Sequence, residues 1–271
     1  MRKEFLLVAL LLIIAAGWFF LKPKEETPVV KCPSTCEYGC MPGTTKCREP
    51  PPLACPSTCL WGCFPNTTEC KPGVPGDMLN QITECGVINE SSELAANLIS
   101  EETCLKIGKN DITIDCKEYK IIGANNTDSY GVEIDGKTNI TLKNCLIKNY
   151  GTGVYITNSS RIHLFDIQIN ENRISGISIM YSDNVVADGI RAFTNWRYGV
   201  EITSSENVEL LNSVIKENPF GMLLQFSKTL TLKNNEICGL FSSLHCMDSE
   251  IAEQSDNMCG ANNCAISCTP C

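Results

Sequence analysis

Histidine is almost missing from this chain: 271 residues hold two, His163 and His245. Histidine-rich metal chemistry is thereby nearly excluded. Basic residues are also scarce, with 22 Lys and Arg against 31 Asp and Glu, a formal charge of −9. Phosphate contacts need a basic patch, so a nucleic-acid partner is not expected. Beyond residue 21 no apolar run is long enough to span a bilayer. Global disorder is excluded by an apolar content of 43%. The residue in excess is cysteine, with 18 copies. A reducing compartment gives so many thiols no structural use, which argues against a cytosolic enzyme. The even count allows full pairing without implying it.

Residues 1–21 set the expected compartment. Phe5 to Leu21 form an unbroken apolar run of 17 residues, preceded by Arg2 and Lys3. That length is short for a spanning helix and long for a signal-peptide core. Ala15-Ala16-Gly17 offers a cleavage site, but Trp18, Phe19 and Phe20 continue the run past it. Trp18 followed by Lys22 and Lys24 resembles an interfacial belt, and an uncleaved membrane anchor is the expectation. The basic groups favour an N-terminus kept inside, with the bulk of the chain extracellular.

Residues 22–77 contain a repeat of period 23. Cys32, Cys36, Cys40 and Cys47 recur in register as Cys55, Cys59, Cys63 and Cys70. Each unit, 32–47 and 55–70, has 16 residues and cannot build a core, so covalent staples must hold it. Two disulfides per unit is one reading and a four-thiolate zinc site the other. Disulfides fit an oxidising exterior, and the C-x2-C pairs of zinc modules are missing. Proline-rich pieces flank the units and would act as semi-rigid spacers. The segment reads as a stapled stalk.

A second repeat follows. Gly131, Gly153, Gly176, Gly199 and Gly221 each open an alternating apolar stretch, at spacings of 22, 23, 23 and 22. Further alternating stretches begin at Ile140, Ile162, Val185, Val208 and Leu230, and a third inward position recurs at Ile147, Ile169, Ala192, Ile215 and Ile237. Three short strands per period and no helix predict a parallel β-helix over 78–237. The leading glycines suit tight corners. Asn144, Asp166, Gly189, Asn212 and Asn234 fall in register after the second strand, and these types tolerate a left-handed turn. Six coils at ~4.8 Å predict a rod of roughly 29 Å. A leucine-rich repeat lacks its leucine spacing here.

The runs Ile82 to Cys85, Thr103 to Ile107, Asn110 to Cys116 and Asn139 to Cys145 resemble the right-handed parallel β-helix repeat proteins, abundant at archaeal and some bacterial cell surfaces. The resemblance covers about residues 82–271. It implies an all-β, right-handed parallel β-helix and a surface location more firmly than an activity. It also favours a strand over a helix for 92–100. Residues 77–103 are expected to cap the first coil. Bridges Cys116–Cys145 and Cys85–Cys104 are the best guesses there. Cys238, Cys246, Cys259, Cys264, Cys268 and Cys271 form a stapled C-terminal cap over 238–271. A metal site from Cys259, Cys264, Cys268 and Cys271 is the rival reading.

Some β-helix proteins act on polysaccharides, and glycosidase chemistry needs two carboxylates in one cleft. Glu133 and Glu201 face outward on one strand ladder but lie roughly 14 Å apart. The paired Asp, Gly-His-Gly and Arg-Ile-Lys set of polygalacturonases is missing, and Arg161-Ile-His163 is only an echo of it. A lyase would need an acidic calcium cluster beside a basic residue, and Arg191 has no acidic neighbour ladder. His163 reads as a surface residue. A copper site lacks its Met/His cluster. No catalytic, cofactor or metal residue is expected.

A binding face is the more concrete expectation. Tyr150, Trp196, Tyr198 and Phe220 precede leading glycines, with Tyr155 and Phe193 near them, and could stack on sugar rings. The competing view is that they shield the core. Sequons at Asn66, Asn89, Asn125, Asn139 and Asn158 could carry glycan. The expected role is a cell-surface or envelope protein engaging glycans or partner cells. A polysaccharide lyase, hydrolase or epimerase is the alternative, and a purely structural envelope component the third reading.

Overall fold

The structure, a computed structural model, describes residues 80–271, within one compact unit of Asp77–Cys271. The expected anchor, the stalk with its eight cysteines and Asn66 lie outside the described residues. Among the described residues no helix is long and apolar enough to cross a membrane.

Alternation of apolar and polar residues produces three parallel sheets of eight, nine and eight strands. One coil runs Thr152–Thr157, Ser160–Phe165 and Gln168–Asn170, and then Ser175–Met180 returns to the first sheet. Each strand pairs in parallel with its equivalent one period away. Val132, Val154, Ile177, Val200 and Met222 therefore stack in register, all at most 1% exposed. Ile140, Ile162, Val185 and Val208 stack opposite them on the second sheet. The fold is the expected parallel β-helix.

Its extent exceeds the six coils expected. Strands already form at Asn80–Ile82, Gly86–Ile88, Ser92–Leu94 and Leu98–Ile99, so the first segment is a coil in its own right. At the other end Ser242–Met247, Ile251–Ser255 and Met258–Cys259 extend all three sheets into the Cys-rich tail. About eight coils at ~4.8 Å give a stack of roughly 38 Å.

Corners between strands need left-handed residues, and the series after the second strand behaves as read: φ is 56° at Asn144, 50° at Asp166, 69° at Gly189, 49° at Asn212 and 56° at Asn234. The leading glycines do not. Gly136 and Gly189 are the described glycines with positive φ, and Gly131 to Gly221 lie inside strands. Their lack of a side chain provides room instead. A Cβ at Gly176 would come within 2.6 Å of the Gly199 carbonyl oxygen and 3.0 Å of the Asn195 side-chain nitrogen.

That asparagine belongs to a feature the sequence reading missed. At the corner from third to first sheet, Asn172, Asn195 and Asn218 are buried and stacked. Asn195 Oδ1 accepts from the Asn172 main-chain and side-chain nitrogens at 3.1 and 2.9 Å. The Asn195 amide donates to Ile169 O at 3.2 Å and Asn218 Oδ1 at 3.0 Å. Ser159, Ser182, Ser205, Ser227 and Ser249 form a second ladder between first and second sheets, each main-chain N–H of the first four donating to the next hydroxyl at 3.0–3.2 Å. Ser213, Asn235 and Asn257 continue the scheme at the third corner. Corner N–H groups that no strand can pair are thus satisfied by side chains one coil away.

All ten described cysteines are paired: Cys85–Cys104, Cys116–Cys145, Cys238–Cys271, Cys246–Cys264 and Cys259–Cys268. The two expected bridges near the first coils are present. The metal reading of the tail is overturned, since all four of its cysteines are in disulfides. Beside Cys116, the Asp115 carboxyl sits below its usual range. Burial pushes it up, but the Asn144 amide, the Lys117 N–H and the Lys143 and Lys117 ammonium groups outweigh that and hold it down.

Two tests follow from these contacts. Replacing Asn195 with Ala strands several buried polar groups that each cost ~1–3 kcal/mol, so a loss of about 3 kcal/mol is expected from the guanidinium unfolding midpoint. For Asp115, the folded value is depressed, so its stabilisation is present above the unfolded value and lost as pH falls through the folded one. D115N should therefore unfold more easily at neutral pH, and the gap to wild type should close as pH drops below the ordinary Asp value of 3.8. Thermal melts across that range measure it.

Candidate binding face

The repeat places one residue of each coil at the start of the first sheet, immediately before the leading glycine. Tyr130, Tyr198 and Phe220 occupy this position. Tyr198 and Phe220 lie 5.6 Å apart between ring centroids, and Phe220 reaches Phe241 at 6.1 Å. Trp196 stands at the adjoining corner and is 61% exposed, with the Arg173 guanidinium 4.8 Å from its ring centroid. Arg197 lies over Tyr198 at 4.9 Å. Trp196, Tyr198, Phe220 and Phe241 thus form an edge strip, with two arginines against its rings. Cation–π contact orders rings that would otherwise swing freely in water.

The other expected members fall elsewhere. Tyr155 stacks flat on Tyr130, with centroids 4.4 Å apart. Phe193 projects from the third sheet, where it pairs with Asn170 and Lys216, and lies off the strip. Tyr150 is fully buried, a correction to its placement on the face. It occupies the corner position that Asn172 fills one coil later, and its N–H donates to Asn172 Oδ1 at 2.9 Å. Its ring lies over Gly123 and Gly131. Burial pushes its phenol well above the usual tyrosine range. Core shielding is therefore its role.

Sequence reasoning missed Tyr130, Phe241, Arg173 and Arg197. Tyr130 was legible, because it precedes Gly131 as Tyr198 precedes Gly199. Phe241 was not, because it lies past the last repeat that alternation reveals. Tyr181 and Phe226, 60% and 52% exposed, mark the corner after the first sheet and were also missed.

Pairing confirms the outward ladder Glu133, Tyr155, Ser178 and Glu201. The two glutamates are three rungs apart, roughly 14 Å at the inter-strand spacing. An inverting pair requires ~6.5–9.5 Å. Glu133 is bound to Lys106 at 3.2 Å, and Glu201 accepts from Ser175 Oγ at 3.0 Å. Arg191 does have acidic company, contrary to expectation. At the corner between second and third sheets it lines a concavity of about 440 Å³ with Glu118 and Asp166. The strand ladder hid this because both carboxylates belong to corner residues.

Residues 87–257 match the family described as right handed beta helix region. The chain belongs to the right-handed β-helix family. No curated protein sequence matches this β-helix protein. Among solved structures it is similar to full-length tailspike protein 2 of an Escherichia coli O157:H7 bacteriophage, with 10% identity and a TM-score of 0.44 over 66% of this chain and 33% of that one. It is similar to the periplasmic alginate epimerase AlgG, with 16% identity and a TM-score of 0.40 over 62% and 48% of the two chains. The Azotobacter vinelandii mannuronan C-5 epimerase AlgE6 A-module shares 14% identity, with a TM-score of 0.39 over 67% and 57%. This β-helix chain spans about a third to a half of the length of the first two.

Proposed function

We propose that this β-helix protein is a membrane-anchored, extracellular glycan-binding protein of the cell surface or envelope, its N-terminus inside. The observation that carries the binding role is the strip of Trp196, Tyr198, Phe220 and Phe241 along one edge of the stack. Its exposed indole, held by Arg173, offers an apolar face bordered by hydrogen-bond donors. Sugar rings present matching apolar faces and hydroxyl rims. The apolar run before Lys22 and the cysteine content support the anchored, outward placement.

The described sequon residues Asn89, Asn125, Asn139 and Asn158 are all exposed and lie in the first half of the β-helix. The strip lies in the second half. Glycans on the first half would leave the strip uncovered. A polysaccharide-acting enzyme is the second reading, favoured by the shared concavity of Glu118 and Asp166.

A glycan array probed with the purified full-length chain tests the binding role. Wild type should retain defined glycans, and W196A should weaken them about tenfold or more, the loss expected of a central aromatic anchor. An identical array profile for wild type and W196A overturns the strip. Placement is tested separately on intact producing cells with a membrane-impermeant biotinylation reagent. The chain should be labelled and should carry glycan at Asn125 or Asn158 by peptide mass spectrometry. Labelling only after lysis overturns the outward placement, and unmodified peptides overturn the glycosylation.

A further inference from the structure

We infer that Asn158 carries an N-linked glycan whose first sugar ring rests on the exposed ring of Tyr181. The inference rests on the glycosylation expected of an outward-facing chain, and adds the residue that seats the sugar.

At the corner between first and second sheets, one residue of each coil stands in the same place. Gly136, Asn158, Tyr181, Ser204, Phe226 and Asp248 fill it, all left-handed, with φ of 49° at both Asn158 and Tyr181. The Asn158 N–H donates to Met180 O at 3.2 Å, and the Tyr181 N–H donates to Thr203 O at 3.1 Å. Successive members are therefore held one rung apart, ~4.8 Å. Glycine, asparagine and aspartate adopt this backbone readily, whereas a bulky tyrosine does so at a steric cost. Packing does not offset that cost. The Tyr181 side chain is 60% exposed. Among the described residues it makes no hydrogen bond and no contact with another ring or a cation.

The rung before it supplies a reason for the ring. Asn158 opens the sequon Asn158-Ser159-Ser160 and is exposed. Its Nδ2 donates to Asp135 Oδ1 at 3.3 Å, in the coil before. A side-chain amide has two hydrogens, and glycosylation removes one. The donor class is a glycan linked to a lipid pyrophosphate. The sugar C1–O bond to the pyrophosphate breaks, a C1–Nδ2 bond forms, and one amide proton leaves with the pyrophosphate. The second hydrogen stays available to Asp135, so the bond that orients the side chain survives. The modified group points outward, and the buried ladder through Ser159 is untouched.

With Asp135 on one side of the Asn158 amide, Tyr181 is on the other. A pyranose attached to Nδ2 starts beside the phenol ring. Its C–H face meets the negative face of the aromatic, and the contact takes apolar area of both out of water. The other described sequons offer no such seat. In the following rung Asn89 has Gly108, Asn125 has Asn149 and Asn139 has Arg161. Asn158 is the one described sequon with an exposed aromatic next to it.

Peptide mass spectrometry of the full-length chain from its producing cells should show a sugar on Asn158. Melting temperatures then compare wild type with Y181G, each prepared from those cells and from a host without asparagine glycosylation. In the bare chains Y181G should melt about 2 °C above wild type, because glycine relieves the left-handed backbone. In the glycosylated chains that gain should vanish or reverse, because the sugar loses its seat. S160A removes this sequon alone and keeps Asn158. In the S160A background Y181G should behave in producing cells as it does in the bare chain. An unmodified Asn158 overturns the inference together with glycosylation at this site. A modified Asn158 with the same effect of Y181G in both preparations overturns the seat and leaves the glycan standing.

Discussion

A coil of a β-helix can hydrogen-bond only to the coils above and below it, and the bonds form only if every coil repeats the same path. That demand for constant register governs everything else in the structure. Whatever occupies a position stacks on its own equivalent ~4.8 Å away. Apolar positions become columns such as Val132 to Met222. Corner positions become columns as well, and there the strands leave N–H groups without partners. A side chain that accepts from the coil before satisfies such a group, and the same residue type in every coil extends the column. Asn195 accepts from the coil before and donates to the coil after. Ser205 accepts from Ser182 N–H of the coil before, turns its hydroxyl back to Thr203 O of its own coil, and carries the ladder on through its main-chain N–H to Ser227. The same constraint explains the leading glycines. The close approach of Gly176 to Gly199 O leaves no space for a methyl group, whatever φ the residue adopts.

Most of this was legible because a period of 22–23 residues puts equivalent positions in line. The inward columns, the left-handed corner from Asn144 to Asn234 and the Cys116–Cys145 bridge all follow from aligning coils. The asparagine ladder was equally readable, since Asn172, Asn195 and Asn218 keep the same 23-residue spacing. It was missed because a corner asparagine reads as a solvated turn residue. Tyr150 failed for the related reason that an aromatic at a corner reads as exposed. The role of the leading glycines was not legible at all. It depends on distances to side chains of another sheet, such as Ile169 Cγ2, which no one-dimensional pattern reports.

Cysteine usage follows from the same register. In the middle coils a column of Ile and Val has neighbours on both sides, and no disulfide is present from Thr152 to Ile237. At either end a column loses one neighbour and its burial weakens. Cys104, Cys116 and Cys145 sit fully buried in the early coils, and three disulfides close the last. The bridges replace packing that a terminal coil cannot obtain, which is the usual relation between small cores and covalent staples.

A fold governed by repetition has a further consequence for binding. Repeated rungs satisfy one another, so a perfect ladder has nothing left for a ligand. Capacity to bind must arise where the repeat departs from itself. Both candidate sites are such departures. Tyr181 sets an aromatic ring in a left-handed corner column where the coil before has Asn158 and the coil after has Ser204. Trp196 follows Asn195 at a corner position where the coil before has Arg173 and the indole has no aromatic to stack on, so Arg173 lies against it instead. In each case the neighbouring rungs are intact and rigid, which holds the irregular group in place without contacting its free face. The scaffold and the site are therefore written in the same columns, the first by obeying the period and the second by breaking it.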